Sequence, residues 1–145
     1  MINIPMILLS VFATVLIMIS ILRPEILNQN GLLKEFVTRD VLNIMGVIMA
    51  IAIPSVTTIH IWFNELEERH NRRVFGAARR EINQDAYLLI ILFFMQFVLF
   101  ITRYYFEFSD IAVALFNSGA VLIFIASIIT LIDVLNVVRS LTPNE

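Results

Sequence analysis

The sequence predicts an all-α integral membrane protein: an antiparallel bundle of four transmembrane helices, with an extended cytoplasmic helical hairpin between helices 2 and 3. Hydrophobic residues make up 59% of the 145 residues and the mean hydropathy is +0.88, whereas soluble domains contain about 45–50% apolar residues. Charged residues make up only 15%, against about 25% in soluble chains. These charges are grouped between four long apolar stretches, a pattern typical of multi-span membrane proteins.

Composition and motifs also exclude several classes of function. The chain contains no cysteine, which rules out disulfides and cysteine-ligated metal centres. Its formal net charge of −2 argues against a nucleic-acid partner, which requires a basic surface. The sequence has no Gly-rich phosphate loop and no Gly-x-Ser-x-Gly motif, and His60 and His70 lack the spacing of a metal motif. We therefore expect a protein that is not an enzyme and that holds no metal or cofactor.

The first predicted span covers residues 2–22, an uncharged run close to the ~20 residues that cross a bilayer. A cleaved signal peptide is not expected, because no Lys or Arg precedes the run and the run is too long. Arg23-Pro24 ends this span. In the following loop, residues 32–39 allow two interpretations: a short amphipathic helix on the membrane surface, or an early start of a tilted second span.

The second span is predicted over residues 41–63, with Pro54 near mid-membrane. A proline at this depth removes one backbone hydrogen bond and bends the helix. Residues 64–85 form the predicted arm, a helical hairpin with its tip near residues 75–76. Glu65 and Arg69 are spaced i,i+4 in the favourable order, which supports continuation of the second helix beyond the membrane.

The third and fourth spans are predicted over residues 86–106 and 111–138, and the whole chain, 1–145, is expected to form a single membrane domain. Because the loop over residues 107–110 is so short, these two helices must be antiparallel neighbours. Four spans place both termini and the arm on one side, which carries six of the ten Lys and Arg residues. The positive-inside rule makes that side cytoplasmic, and we expect the bacterial inner membrane.

Small and polar residues form a stripe along the second span. At 100° per residue the stripe is ~120° wide, and it is interrupted by Ile53 and Ile61. Such a stripe predicts either a packing face, since small residues let helices approach closely in lipid, or the lining of a water path in an oligomer. The stripe comprises Asn43, Gly46, Ala50, Pro54, Thr57, His60 and Asn64.

The fourth span carries a second face of this kind, predicted to pack against other helices, with members spaced seven residues apart: Ala112, Gly119, Ala126 and Asp133. His60 and Asp133 lie at similar depth near the cytoplasmic ends of their helices. They allow three interpretations: hydrated interfacial groups, a structural pair, or a proton-sensitive site. In the third span, Gln96 indicates either an interhelical hydrogen bond or a residue that lines a path.

The arm combines blocks of opposite charge. Its arginines, the candidate residues for contact with a partner, are Arg69, Arg72, Arg73, Arg79 and Arg80. Its acidic residues are equal in number, so the arm has no net charge, which weakens its interpretation as a polybasic lipid-binding segment. Alternating blocks instead indicate contacts between arms of neighbouring subunits, or docking of a cytosolic protein. An ordinary solvated hairpin is the third alternative.

Two functions follow as expectations. The first is a homo-oligomeric pore or membrane-perturbing effector, in which the second helix lines the path and the arm gates or assembles it. The second is a non-catalytic membrane anchor or sensor whose arm recruits a cytosolic protein. The layout resembles that of many small bacterial four-span proteins, including membrane components of phage-defence and stress systems, although no residue pattern matches one of them. The expected partners are the lipid bilayer, further copies of the chain and a cytosolic protein.

Overall fold

The computed structural model describes residues 4–70, 75–103, 105 and 109–141, and this part of the chain is almost entirely helical. The predicted all-α class is therefore confirmed. The elements, in order, are α1 (Ile4–Leu22), α2 (Pro24–Asn28), α3 (Gly31–Glu35), a π-helical turn (Phe36–Asp40), α4 (Val41–His70), α5 (Gly76–Arg103) and α6 (Asp110–Leu141).

Three stretches of helix are long and apolar enough to cross a membrane: Gly31–Arg69, Gly76–Arg103 and Asp110–Val137. This agrees with a membrane protein. Helix α1 is also apolar, but its apolar stretch, Met6–Leu22, is shorter than these three. Large hydrophobic side chains cover the exposed surface of α1 and α5, among them Leu8 (64% exposed) and Phe94 (61% exposed), as expected for surfaces that face lipid tails rather than water.

The helix that contains the predicted second span begins at Gly31, ten residues before the predicted start at residue 41. Asn30 caps its first turn, because its side-chain oxygen accepts a hydrogen bond from the Leu33 backbone N–H at 3.1 Å. The helix then passes through the π-helical turn without a break and continues to His70. Of the two interpretations for residues 32–39, the structure agrees with an early start of the second helix.

Helix α6 is the central element of the bundle. It packs most extensively against α5, and also contacts α1, α2, α4 and the π-helical turn. Small residues permit this close packing: Ala114, Ala120 and Ser127 are at most 1% exposed. The other helices therefore pack against α6, and they meet it through small side chains along its length.

Apolar clusters follow the contacts of α6 from one end of the bundle to the other. At the end where α1 meets α2, Leu16 and Leu27 pack against Ala114. In the middle, Met45 and Leu92 pack against Ile123. At the arm end, a third cluster contains Val56, Ile59, Phe63, Ile82 and Val134. Since Val134 belongs to α6, the arm is supported by a third helix, which the sequence analysis did not anticipate.

Candidate functional site: the outward face of α4 and the arm

Helix α4 has two opposite faces with the same three-and-four-residue spacing. The first is buried in the bundle and consists of Val41, Met45, Ile48, Ala52, Val56, Ile59 and Phe63. The second, which we term the outward face, is exposed along its whole length and consists of Asn43, Val47, Ala50, Pro54, Thr57, Ile61 and Asn64. The helix therefore uses one side for its own subunit and presents the other side to its surroundings.

The predicted stripe of the second span lies on the outward face or at its border. Five of its seven members belong to that face, while Gly46 and His60 are half-buried at its edge. A Cβ atom added to Gly46 would meet nothing within 4 Å. The small size of this residue is thus not needed for packing inside the subunit.

The hydroxyl groups near Pro54 bond to their own helix. Ser55, Thr57 and Thr58 donate hydrogen bonds to backbone carbonyls one turn earlier, at distances of 2.7, 3.1 and 3.0 Å. The acceptors belong to Ile51, Ile53 and Pro54. Each hydroxyl donor is therefore satisfied inside the subunit, and its oxygen remains able to accept a hydrogen bond from water or from another chain.

The residues of the predicted packing face of the fourth span lie in two different environments. Gly119 packs closely on α5, because a Cβ at this position would lie 3.5 Å from Leu99 Cδ1. Ala126 packs against the central cluster of the bundle, and Ala112 is half-buried. Asp133, in contrast, is exposed. The first three positions thus lie within the subunit, and the fourth opens onto its surface.

Near Gly119, a buried polar contact joins α1 to α6. Ser20 Oγ lies 2.7 Å from Ser118 Oγ, and both side chains are almost fully buried. The neighbouring Asn117 donates a hydrogen bond from Nδ2 to the Leu27 carbonyl at 3.3 Å. The sequence signal for this site was the cluster of Asn, Ser and Gly within an apolar helix, but a single polar residue in a helix does not identify its partner.

The arm is held closed by an ion pair and by stacked aromatic rings. Glu67 Oε2 accepts a hydrogen bond from Arg79 Nη2 at 2.9 Å, and Glu67 Oε1 accepts one from the Phe75 backbone N–H at 3.1 Å. The Phe63 and Phe75 rings stack with centroids 4.7 Å apart. The Arg79 guanidinium lies over the Phe63 ring, 5.6 Å from its centroid, in a cation–π contact.

The five predicted contact arginines of the arm therefore differ in their roles. Arg79 is largely shielded, with 26% of its side chain exposed, and it binds Glu67. Arg69 and Arg80 are exposed and available to a partner. Arg72 and Arg73 lie outside the described residues. An open hollow of about 390 Å³, lined by Asn64, Glu67, Gly76 and Arg79, adjoins the ion pair.

His60 is tied to the neighbouring helix of the arm. Its Nε2 lies 2.8 Å from Asn83 Oδ1, and its ring contacts Phe63 edge-on at 6.4 Å between centroids. The structural pair predicted as one alternative for His60 was with Asp133. In the described part of the chain these two residues form no ion pair, and Asp133 instead lies near Asp85.

Asp85, the last residue of the arm, is half-buried. Burial raises the pKa of this carboxyl above its ordinary value of 3.8, and the carboxylates of Asp133 and Glu81 raise it further. Within the described ranges, no group of three or more His, Asp or Glu side chains is arranged to hold a metal ion. Comparison with protein-family models, with curated proteins and with solved structures finds no match.

Proposed function

We propose that the chain is a four-span subunit of the bacterial inner membrane, with cytoplasmic termini, which assembles with copies of itself into a pore or a membrane-perturbing effector. In this proposal the outward face of α4 lines the path between subunits, and the arm gates or assembles the oligomer. One observation carries the proposal: the small and polar side chains of α4 face away from the subunit's own bundle.

The polar side chains of this face favour a polar or protein environment over lipid tails. Asn43 and Thr57 are exposed, and α4 is apolar enough to lie in a membrane. An amide that faces hydrocarbon without a hydrogen-bond partner costs several kcal/mol, on the order of 2–7. A second copy of the chain, or water in a path between copies, supplies that partner.

The spacing of the face supports association of α4 with another helix. Its members alternate at intervals of four and three residues from Asn43 to Asn64, which is the heptad pattern of helices that pack side by side. Gly46 and Ala50 are small, and such residues let two helices approach closely in a bilayer, where no hydrophobic effect drives them together.

The position of α6 favours a path between subunits over one within the subunit. Buried side chains such as Ala120, Ile123 and Ser127 occupy the centre of the bundle. A path within one chain would require these contacts to open. A path lined by α4 from several copies leaves every subunit intact, and the proposal therefore requires a closed ring.

The test begins with subunit number, measured by native mass spectrometry of the protein released from lipid nanodiscs. A ring of four or more copies is expected, and a monomer contradicts the pore. Ion flux into liposomes is then compared for Thr57→Leu and Thr14→Leu. Thr14 is a matched control, because it is exposed on α1 and its hydroxyl also bonds one turn back, to the Ser10 carbonyl. Flux is expected to fall only for Thr57→Leu, with the ring preserved.

A second candidate function is the non-catalytic anchor or sensor. The exposure of Arg69 and Arg80 on the arm favours it, because exposed guanidinium groups can bind a partner with acidic groups. Reversal of both charges to Glu is expected to release a cytosolic partner without loss of membrane insertion. If this double variant changes nothing in what co-purifies with the protein, the anchor function is contradicted.

A further inference from the structure

The open hollow of the arm has the size of a binding site for a small polar group. Its volume is about 390 Å³, and its lining consists of Asn64, Glu67, Gly76 and Arg79. At ~30 Å³ for each water molecule, the hollow has room for a group much larger than a single ordered water. A Cβ atom added to Gly76 would meet nothing within 4 Å. The hollow can therefore admit a small ligand at the start of α5.

The charges around the hollow determine what it can hold. Arg79 and Glu67 bind each other at 2.9 Å, so the lining has no net charge, and a free anion or a free cation would meet one group of its own sign. The pair is still partly open, with 26% of the Arg79 side chain and 18% of the Glu67 side chain exposed. A ligand that carries both charges, arranged opposite to those of the pair, is attracted to both side chains.

Both members of the ion pair keep further hydrogen-bonding capacity. A guanidinium has five N–H donors, and a carboxylate offers about four lone-pair sites. The contact between Arg79 and Glu67 uses one of these donors, and Glu67 accepts one more hydrogen bond, from the Phe75 backbone. Asn64 adds an exposed amide, which both donates and accepts. The hollow thus offers donors for a phosphate group and acceptors for an ammonium group.

The depth of the hollow indicates where such a ligand comes from. The second span is predicted to end at residue 63, and Glu67 follows four residues later, ~6 Å farther along the helix axis. The head-group layer on each side of a bilayer is about 5–7 Å thick. Trp62, whose ring lies 6.4 Å from that of Phe75 between centroids, is of a residue type enriched in this layer. In the membrane protein that we propose, the hollow therefore lies at the level of the lipid head groups.

We propose that the open hollow binds the phosphoethanolamine head group of a membrane lipid. The phosphate accepts hydrogen bonds from Arg79 and Asn64, and the primary ammonium group donates a hydrogen bond to Glu67. A phosphocholine head group carries the same two charges, but its methylated ammonium has no N–H to donate. The proposal rests on the membrane insertion that is part of the proposed function, and it does not require the pore.

The test uses the full chain in nanodiscs that contain equal amounts of phosphatidylethanolamine, phosphatidylcholine and phosphatidylglycerol with the same acyl chains. Native mass spectrometry counts the lipids that remain on the protein after its release. Phosphatidylethanolamine is expected to be retained roughly tenfold more than phosphatidylcholine, a ratio that one hydrogen bond to a charged group can produce. Equal retention of these two lipids overturns the proposal. Preferential retention of phosphatidylglycerol also overturns it, since the site then binds an anion.

Leucine substitutions at two glycines separate the hollow from general lipid binding. Gly76→Leu is expected to fill the hollow and to abolish the preference for phosphatidylethanolamine. Gly31→Leu is the matched control, because a Cβ at this position also meets nothing within 4 Å and the residue does not line the hollow. The control is expected to retain the preference. An unchanged preference in Gly76→Leu places the lipid elsewhere and overturns the proposal.

A second variant decides the location if Gly76→Leu fails to fold. Asn64→Ala removes the exposed amide from the lining and leaves the ion pair of Glu67 and Arg79 in place. It is expected to reduce the retained phosphatidylethanolamine severalfold. Retention equal to that of the unmodified chain overturns the assignment to the hollow.

The same spectra distinguish this proposal from the pore. A ring without lipid preference overturns the lipid site and leaves the pore, whereas a monomer that prefers phosphatidylethanolamine contradicts the pore and supports the site. Soluble glycerophosphoethanolamine, added to nanodiscs of phosphatidylcholine alone, distinguishes a lipid from a free metabolite. Binding of the soluble compound without retention of the lipid in mixed nanodiscs overturns the lipid source.

Discussion

Glu67 and Arg79 join the two helices of the arm through a 2.9 Å ion pair, and the same carboxylate accepts a hydrogen bond from the Phe75 backbone at the start of α5. One side chain thus closes the hairpin and caps the helix that leaves it. With 18% of the Glu67 side chain exposed, the pair lies between the fully exposed and fully buried cases, and it contributes more than an ordinary surface pair.

Glu67→Gln is expected to destabilise the arm by about 1.5–3 kcal/mol, the range for hydrogen bonds to charged groups. The measurement is amide hydrogen exchange of residues 76–82, which should become faster. Glu68→Gln serves as the control, because Glu68 is an exposed neighbour on the same helix. Equal exchange rates in the two variants would show that the ion pair does not hold the arm closed.

Ser118→Ala is expected to weaken the attachment of α1 to α6 by about 0.6–1.7 kcal/mol, the range for interhelical hydrogen bonds in membrane proteins. The variant removes the contact with Ser20 Oγ, in which either hydroxyl can be the donor. The measurement is reversible unfolding in mixed micelles. Ser10→Ala, at an exposed position of α1, should leave the midpoint of unfolding unchanged. If Ser10→Ala lowered stability as much as Ser118→Ala does, the stabilising role of the Ser20–Ser118 contact would be contradicted.

Leucine substitutions at two glycines test packing within a subunit and packing between subunits separately. Gly119→Leu is expected to lower subunit stability by about 1–3 kcal/mol through overpacking, because Leu99 already lies 3.5 Å from the Cβ position. Gly46→Leu has open space at this position and should leave the subunit fold intact. It is expected instead to disrupt the oligomer, as measured by native mass spectrometry. A stable oligomer of Gly46→Leu would exclude this edge of α4 from the interface.

Asp85→Asn is expected to raise the thermal midpoint at neutral pH. Because burial, Asp133 and Glu81 raise the pKa of the folded-state carboxyl, the folded chain holds this proton more tightly than the unfolded chain does. The stability contributed by the proton is therefore complete below the ordinary pKa of 3.8 and is lost as the pH rises through the raised pKa.

The Asp85→Asn substitution should consequently have little effect below pH 3.8. Glu65→Gln is the control for the change in thermal midpoint, since Glu65 is an exposed acid of the same arm. A lower midpoint for Asp85→Asn at neutral pH would show that the ionised carboxylate stabilises the fold.

The sequence was sufficient to predict which segments form long helices. Runs of apolar residues bounded by Arg23-Pro24 and by the short connection before residue 111 predicted helix ends that agree with those observed at Leu22 and Asp110. The third span was predicted to end at residue 106, which lies outside the described residues, and α5 is described to Arg103. The sequence could not predict that the second helix begins at Gly31. Residues 32–39 have the pattern of an amphipathic helix whether or not they continue into α4.

The partners of individual side chains could not be predicted. Ser20 and Ser118 are 98 positions apart, and nothing in the local pattern of either helix identifies the other. The same holds for Arg79, which was grouped with the other arm arginines because charge alone does not show that Glu67 and the Phe63 ring surround it. Periodicity shows that a helix has two faces, but the packing determines what each face contacts.

The central position of α6 has a consequence for biosynthesis. A ribosome produces α1, α4 and α5 before α6, the helix that all three contact. In the membrane protein that we propose, the earlier helices must therefore remain in the bilayer, or beside the insertion machinery, with the surfaces that later meet α6 still covered by lipid or by a chaperone. Assembly of the bundle is then a late event, and a nascent chain arrested before Asp110 should be recognised by membrane proteases as unfinished.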